Sequence, residues 1–140
     1  MTNAALARSY LRKAAVRLSL LPLLQRKGAY SDVVREAQEI VELALKAILR
    51  QVGVEPPKWH DVGELLREHR ARFREDVAER IPELAKDSEW LRGERELSFY
   101  GDVDFIPTEE YEIKDGRRAI RAAKMAVQTA RLVLRRSRSR

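Results

Sequence analysis

Apolar residues recur at helical spacing along most of the chain, and no alternation of apolar and polar residues is long enough to predict a strand. The pattern is clearest after Gly28, where apolar residues separated by one, three and four positions fall on one face of a helix. We therefore predict an all-α fold, an up-and-down helical bundle of about five helices. The apolar face of the second helix contains Val33, Val34, Ala37, Val41, Ala44, Leu45 and Ile48.

Capping residues and prolines set the expected boundaries of the first two helices. The first helix begins at Thr2 or Asn3, and Pro22 either kinks or ends it. The second begins at Ser31 or Asp32 and ends at a glycine that precedes a Pro-Pro pair.

The second half of the chain contains three further helical segments. We expect the first to run from His60 or Asp61 to about Phe73, and the next to cover residues 75 to 97 with a break at Pro82. Residues 98 to 111 have no helical period and predict a long connecting loop.

The last helix begins near Asp115, which can cap it, and presents an alanine-rich stripe. Residues 135 to 140 are mostly Arg and Ser with no apolar partner, so they predict a disordered basic tail. The expected organisation is one helical domain over residues 1–134 and a tail over residues 135–140.

Charged residues also follow a helical period, on the opposite face of the second helix. Arg35, Glu39, Glu42, Lys46 and Arg50 are separated by three or four positions, so they can interact along the helix surface. Such a stripe is typical of a face turned to solvent.

Composition narrows the class of protein. The 140 residues are 44% hydrophobic and 36% charged, which is enough apolar material for one core, and the absence of cysteine excludes disulfides and a cysteine nucleophile. With no secretory signal and no membrane-spanning run, we expect a cytoplasmic protein. The 21 Arg, 7 Lys and few amides weakly indicate a thermophilic source.

The net charge of +6 conceals two basic ends and an acidic middle. Residues 1–27 contain six bases and no acid, and residues 113–140 contain ten bases and one acid. Residues 75–112 contain thirteen acids and four bases. The basic ends either bind nucleic acid or neutralise the acidic region within the fold, and the tendency of opposite charges to pair favours neutralisation.

Motifs of metal and phosphate chemistry are absent from the sequence. His60 and His69 lack the four-residue spacing of a helical metal pair, and there is no glycine-rich phosphate loop. We therefore expect no metal and no cofactor, although a nucleotide ligand such as ATP remains compatible with the chain.

The segment from Arg92 to Asp102 admits two interpretations. It can hold a nucleotide, with Arg92 or Arg95 on phosphate and Tyr100 stacked on a base. It can equally form an aromatic plug, in which Phe99 and Tyr100 seal the bundle while the arginines pair with Glu94 or Glu96. The residues by themselves favour the plug.

The chain resembles the HEPN family, especially its archaeal members, over nearly its whole length. The similarity lies in the run from Val34 to Leu49, in the segment from Gly53 to Val62 that includes Trp59-His60-Asp61, and in the segment from Arg95 to Asp102. It implies a small helical bundle that forms a homodimer. It also implies a toxin-antitoxin setting, with a minimal nucleotidyltransferase as partner.

Toxic HEPN members are metal-independent ribonucleases that carry an Arg followed, after four to six residues, by a His. No Arg precedes His60 or His69 at that spacing, so no catalytic residue is carried over from the family. The expected function is a nucleotide-binding or partner-binding module. Its expected ligand-binding residues are Lys46, His60, Arg92, Arg95 and Tyr100, although Lys46 can instead pair with Glu42. The alternative is an RNA-binding protein or noncanonical ribonuclease that uses the basic terminal helices.

Overall fold

A computed structural model describes residues 3–56, 58 and 61–138, with side chains described up to residue 135. All the regular structure in these residues is helical, apart from one isolated bridge between Asp102 and Phe105. The all-α prediction is confirmed. The α-helices are α1 Asn3–Leu18, α2 Leu21–Arg26, α3 Tyr30–Gln51, α4 Val62–Glu68, α5 Glu75–Ala78, α6 Ile81–Phe99, α7 Pro107–Glu110 and α8 Ile113–Arg138, and a 3-10 turn covers Arg70–Arg72.

The central element of the bundle is α3. It packs against α1, α2, α4, α6, α7 and α8, because apolar residues cover more than one of its faces. Its strongest packing is against α8, whose small side chains allow the two helix backbones to approach closely. The buried alanines of α8 are Ala119, Ala122, Ala123, Ala126 and Ala130.

Two predicted helix starts differ from the structure. The start of α3 is at Tyr30, and Ala29 precedes it without a side-chain cap, whereas Ser31 is buried within the first turn. The start of α8 is at Ile113, and Asp115 Oδ2 accepts a hydrogen bond of 2.8 Å from Glu112 N. Asp115 thus satisfies a free amide from inside the first turn. The alternative start at Thr2 lies outside the described residues.

The helix predicted to start at His60 or Asp61 begins at Val62, with Asp61 as its N-cap. The side chain of Asp61 caps α4, since its Oδ1 accepts a hydrogen bond of 2.9 Å from Gly63 N. α4 ends at Glu68, before the predicted Phe73, and the 3-10 turn follows. The predicted break near Pro82 separates α5 from α6, and Pro82 lies in the first turn of α6, where a missing N–H costs least.

The segments predicted as loop and tail contain more helix than expected. α6 continues through Phe99, and α7 forms one further turn before α8. The backbone of α8 is helical to Arg138, so the last helix extends past residue 134, where the sequence places the end of the domain. Arginine is a good helix former, and positive charge near a helix C-terminus interacts favourably with the helix dipole. Residues 139 and 140 lie outside the described part of the chain.

Candidate functional site

Charged side chains of α3 and α6 meet along one face of the bundle. The end of α6 lies beside the beginning of α3, since Arg95 approaches Glu39 and Phe99 approaches Arg35. The charged stripe of α3 is half-buried, not turned to bulk solvent as the sequence suggests. α6 lies beside Arg35 and Glu39, and α1 lies beside Arg50. We call the surface formed by Glu39, Lys46, Asp61, Arg92 and Arg95 the α3–α6 face.

Hydrogen bonds along α3 fix the acidic groups of this face. Arg35 Nη1 donates to Glu39 Oε1 at 2.7 Å and to Gln38 Oε1 at 3.3 Å. The buried Gln38 in turn donates from Nε2 to Glu42 Oε2 at 3.2 Å. Because Gln38 connects a cation to a carboxylate, the three side chains around it hold one another in place.

Two arginines of α6 lie near the carboxylates of Glu39 and Asp61, at longer distances than Arg35 lies from Glu39. Arg95 Nη2 is 3.8 Å from Glu39 Oε1, and Arg92 Nη1 is 3.5 Å from Asp61 Oδ1. Exposed ion pairs of this length contribute little to stability. Both guanidinium groups can therefore exchange a carboxylate for a ligand phosphate at small cost.

Lys46 is half-buried and lies on the same side of α3 as Glu39 and Glu42, since it follows them by seven and four residues. The alternative for Lys46, an ion pair with Glu42, is not formed, and Glu42 accepts a hydrogen bond from Gln38. Lys46 has no ion pair with any residue in the described part of the chain.

The aromatic plug predicted for the end of α6 is not formed. Phe99 is 53% exposed and Tyr100 is 78% exposed, and their rings contact each other edge to face with centroids 4.8 Å apart. Since α6 remains helical through Phe99, both rings project beyond the packed part of the bundle. Arg35 lies 5.8 Å from the centroid of the Phe99 ring and forms a cation–π contact with it.

A different aromatic pair fills the space that the plug was expected to fill. Tyr111 is buried, and its ring meets that of Phe105 edge to face with centroids 5.6 Å apart. Its hydroxyl donates a hydrogen bond of 2.6 Å to Glu94 Oε2. Glu94 therefore binds a phenol and not one of the two arginines, which corrects the second part of the plug interpretation.

Of the two histidines, the described part of the chain contains His69. His60, an expected ligand-binding residue, lies outside the described residues. His69 follows the last turn of α4. Within the described ranges, no three His, Asp or Glu side chains converge as a metal ion requires.

The structure thus places Arg92 beside Asp61 and Arg95 beside Glu39, with Tyr100 exposed beyond the end of α6. Lys46 shares the half-buried stripe of α3 with Glu39. Sequence reasoning missed Glu39 as the carboxylate shared by Arg35 and Arg95. The i,i+4 spacing identifies the first contact, whereas the second depends on how α6 packs on α3.

A sequence model described as HEPN domain matches residues 7–138. The chain belongs to the HEPN family. The resemblance noted in the sequence is confirmed, and the all-helical bundle is consistent with the HEPN fold. A search of curated proteins finds no match to this HEPN chain. Among its described helices, none combines the length and apolar character that crossing a membrane requires.

Proposed function

We propose that this HEPN chain is a binding module that holds a nucleotide on its α3–α6 face and acts as the companion of a minimal nucleotidyltransferase. The proposal rests mainly on Arg92 and Arg95, whose ion pairs are long and exposed. Short hydrogen bonds from these arginines to a phosphate contribute more binding free energy than the two long ion pairs with carboxylates contribute to stability.

Lys46 on the face and Tyr100 beyond the end of α6 support the same ligand class. Lys46 adds a cation that forms no ion pair within the described residues, and Tyr100 offers an exposed ring on which a base can stack. Neither histidine is preceded by an Arg at the spacing of the HEPN ribonuclease motif. This absence supports binding over RNA cleavage.

ATP binding to the full chain, measured by isothermal titration calorimetry, tests the nucleotide site. The variant Lys46→Ala/Arg95→Ala is expected to bind ATP about tenfold more weakly or worse, because two phosphate contacts are lost. The variant Lys27→Ala/Arg70→Ala removes the same charges from exposed positions elsewhere and should bind like the parent chain. Equal affinity in both variants, or no binding by the parent chain, contradicts the site.

Affinity capture from native lysate, with and without nuclease treatment, tests the proposed partner. Recovery of a nucleotidyltransferase, identified by mass spectrometry, supports the companion role. Recovery only of proteins that depend on RNA, and are lost after nuclease treatment, contradicts it.

A further inference from the structure

Two basic helices, α1 and α8, pack directly against each other. Their segments contain six bases without an acid in residues 1–27, and ten bases with one acid in residues 113–140. In the described part of the chain these ends form two ion pairs with acidic residues, Arg17 with Glu36 at 2.7 Å and Lys114 with Glu112 at 3.4 Å. Where α1 faces the second half of α8, the fold brings arginines of both helices together, so the positive charge at this surface has a separate explanation.

A cavity of about 460 Å³ lies between the two helices. Two leucines line it among four arginines that are exposed at its rim, and none of these arginines forms an ion pair with a residue in the described ranges. The lining residues, which define the α1–α8 groove, are Arg8, Leu11, Arg12, Arg131, Leu134 and Arg135.

The positive surface continues from this groove along α8. A neighbouring cavity shares Arg131 and Arg135 and adds Arg80 and Gln128. A third cavity shares Gln128 and extends to Arg117. From Arg117 to Arg135 the helix advances 18 residues, a length of about 27 Å. A chain of anions several groups long fits this length better than one small anion.

Like charges held together without counter-charges raise the energy of the folded protein, and a bound polyanion relieves that repulsion. Arginine suits phosphate oxygens through its planar fork and can stack on a flat ring. The apolar side chains of Leu11 and Leu134 add a surface for such a ring. A duplex hides the faces of its bases, whereas a single strand presents bases and phosphates together.

We propose that the α1–α8 groove binds a single strand of nucleic acid, with phosphates on its four arginines and bases against Leu11 and Leu134. The α1–α8 groove and the α3–α6 face are formed by different helices. The inference therefore goes beyond the proposed function, and either can fail without the other.

Fluorescence anisotropy with a short labelled oligo(U) measures this binding on the full chain. The logarithm of affinity is expected to fall with the logarithm of salt concentration with a slope of about −3, since four phosphate contacts contribute about −0.7 each. Arg12→Glu/Arg131→Glu should lower the affinity about tenfold or more. Oligo(dT) should bind within about threefold of oligo(U), because the groove contacts phosphates and base faces.

The matched control is Arg26→Glu/Lys27→Glu, which changes the net charge equally at exposed positions outside the groove. The control should retain most of the affinity. Equal losses in both double variants would show that only overall charge matters, and would overturn the groove. Equally tight binding of a poly-glutamate peptide, or of a duplex, would overturn the single strand as its ligand.

Stability provides a second readout that does not depend on the oligonucleotide. Arg12→Gln/Arg131→Gln removes repulsion between the two helices, so its Tm at low salt should equal or exceed that of the parent chain. It should also bind oligo(U) more weakly. A lower Tm would assign these arginines a structural role and overturn the inference.

Discussion

The hydroxyl of Tyr111 donates a hydrogen bond of 2.6 Å to Glu94 Oε2 and so joins the segment before α8 to the second half of α6. Burial, followed by this hydrogen bond, raises the pKa of Tyr111 well above its ordinary value of 10.0. The folded protein therefore holds the phenolic proton more tightly than the unfolded chain. The resulting stability is fully present below pH 10 and is lost as the pH rises from there towards the folded-state pKa.

Tyr111→Phe should lower the free energy of unfolding by about 1.5 kcal/mol at pH 7, because it removes a hydrogen bond to a carboxylate. Urea denaturation at pH 9 and pH 11 tests the titration as well. The parent chain should lose more stability between these two values than Tyr111→Phe does. Tyr100→Phe, at an exposed ring, is the control and should behave like the parent chain, whereas parallel pH curves for parent and Tyr111→Phe would contradict the assignment.

Asp87→Asn is expected to maintain or raise stability at neutral pH. Asp87 is 8% exposed, and desolvation is the largest cause of its raised pKa, with Glu83 adding to it and Arg118 and Arg121 opposing it. The ionised form therefore costs stability, and this cost grows as the pH rises from the unfolded-state pKa through the folded one. The check is the Tm of parent and variant between pH 4 and pH 7, where Asp87→Asn should show the weaker pH dependence.

The exposed Glu89 on the same helix supplies the comparison. Glu89→Gln also removes one negative charge, but from a carboxylate that is not buried. The Tm of this variant should therefore depend on pH as that of the parent chain does. A clear drop in Tm for Asp87→Asn at pH 7 would mean that attraction to the arginines exceeds the cost of burial.

Gly63→Ala should destabilise the protein by roughly 1 to 3 kcal/mol. A Cβ at Gly63 would lie 2.9 Å from the Cα of Ala85, so α4 and α6 would have to separate. Gly93→Ala, in the middle of α6, meets nothing within 4 Å and should instead stabilise the protein by about 0.5 to 1 kcal/mol. Urea denaturation of both variants measures the contrast, and equal effects would contradict the close approach of the two helices.

Asp61 combines a helix cap with an ion pair, and two substitutions separate these roles. Asp61→Ala should cost about 1 kcal/mol through loss of the cap on Gly63 N. Asp61→Asn keeps a capping oxygen and loses only the exposed pair with Arg92, so it should change stability by less than about 0.5 kcal/mol. Thermal unfolding compares them, and similar losses in both variants would assign the larger contribution to the ion pair.

Local signals in the sequence were sufficient for much of the fold. The periodic face of α3, the cap at Asp61 and the break at Pro82 depend on residues close together in the chain, and all three are present in the structure. The extent of α6 was harder to predict. This helix contacts α3, α4 and α8, and its buried positions include Asp87 and Ser98, so no simple apolar stripe marks it.

The candidate site depended on tertiary packing to a greater degree. Which aromatic residue enters the core was decided by the return of the chain towards α8, which buries Tyr111 and leaves Phe99 and Tyr100 exposed. The contact between Arg95 and Glu39 joins residues of two helices, and spacing within either helix does not indicate it. The charge excess at both ends was visible in the sequence, whereas the meeting of α1 and α8 was not.

The central position of α3 determines when this protein can complete its core during synthesis. α8, its main packing partner, begins 62 residues after α3 ends, from residue 51 to residue 113. At ordinary translation rates the ribosome needs roughly 3 to 12 s to make that stretch. During this interval the apolar side of α3 that α8 later covers has no native partner, so the nascent chain is a substrate for chaperones until α8 emerges.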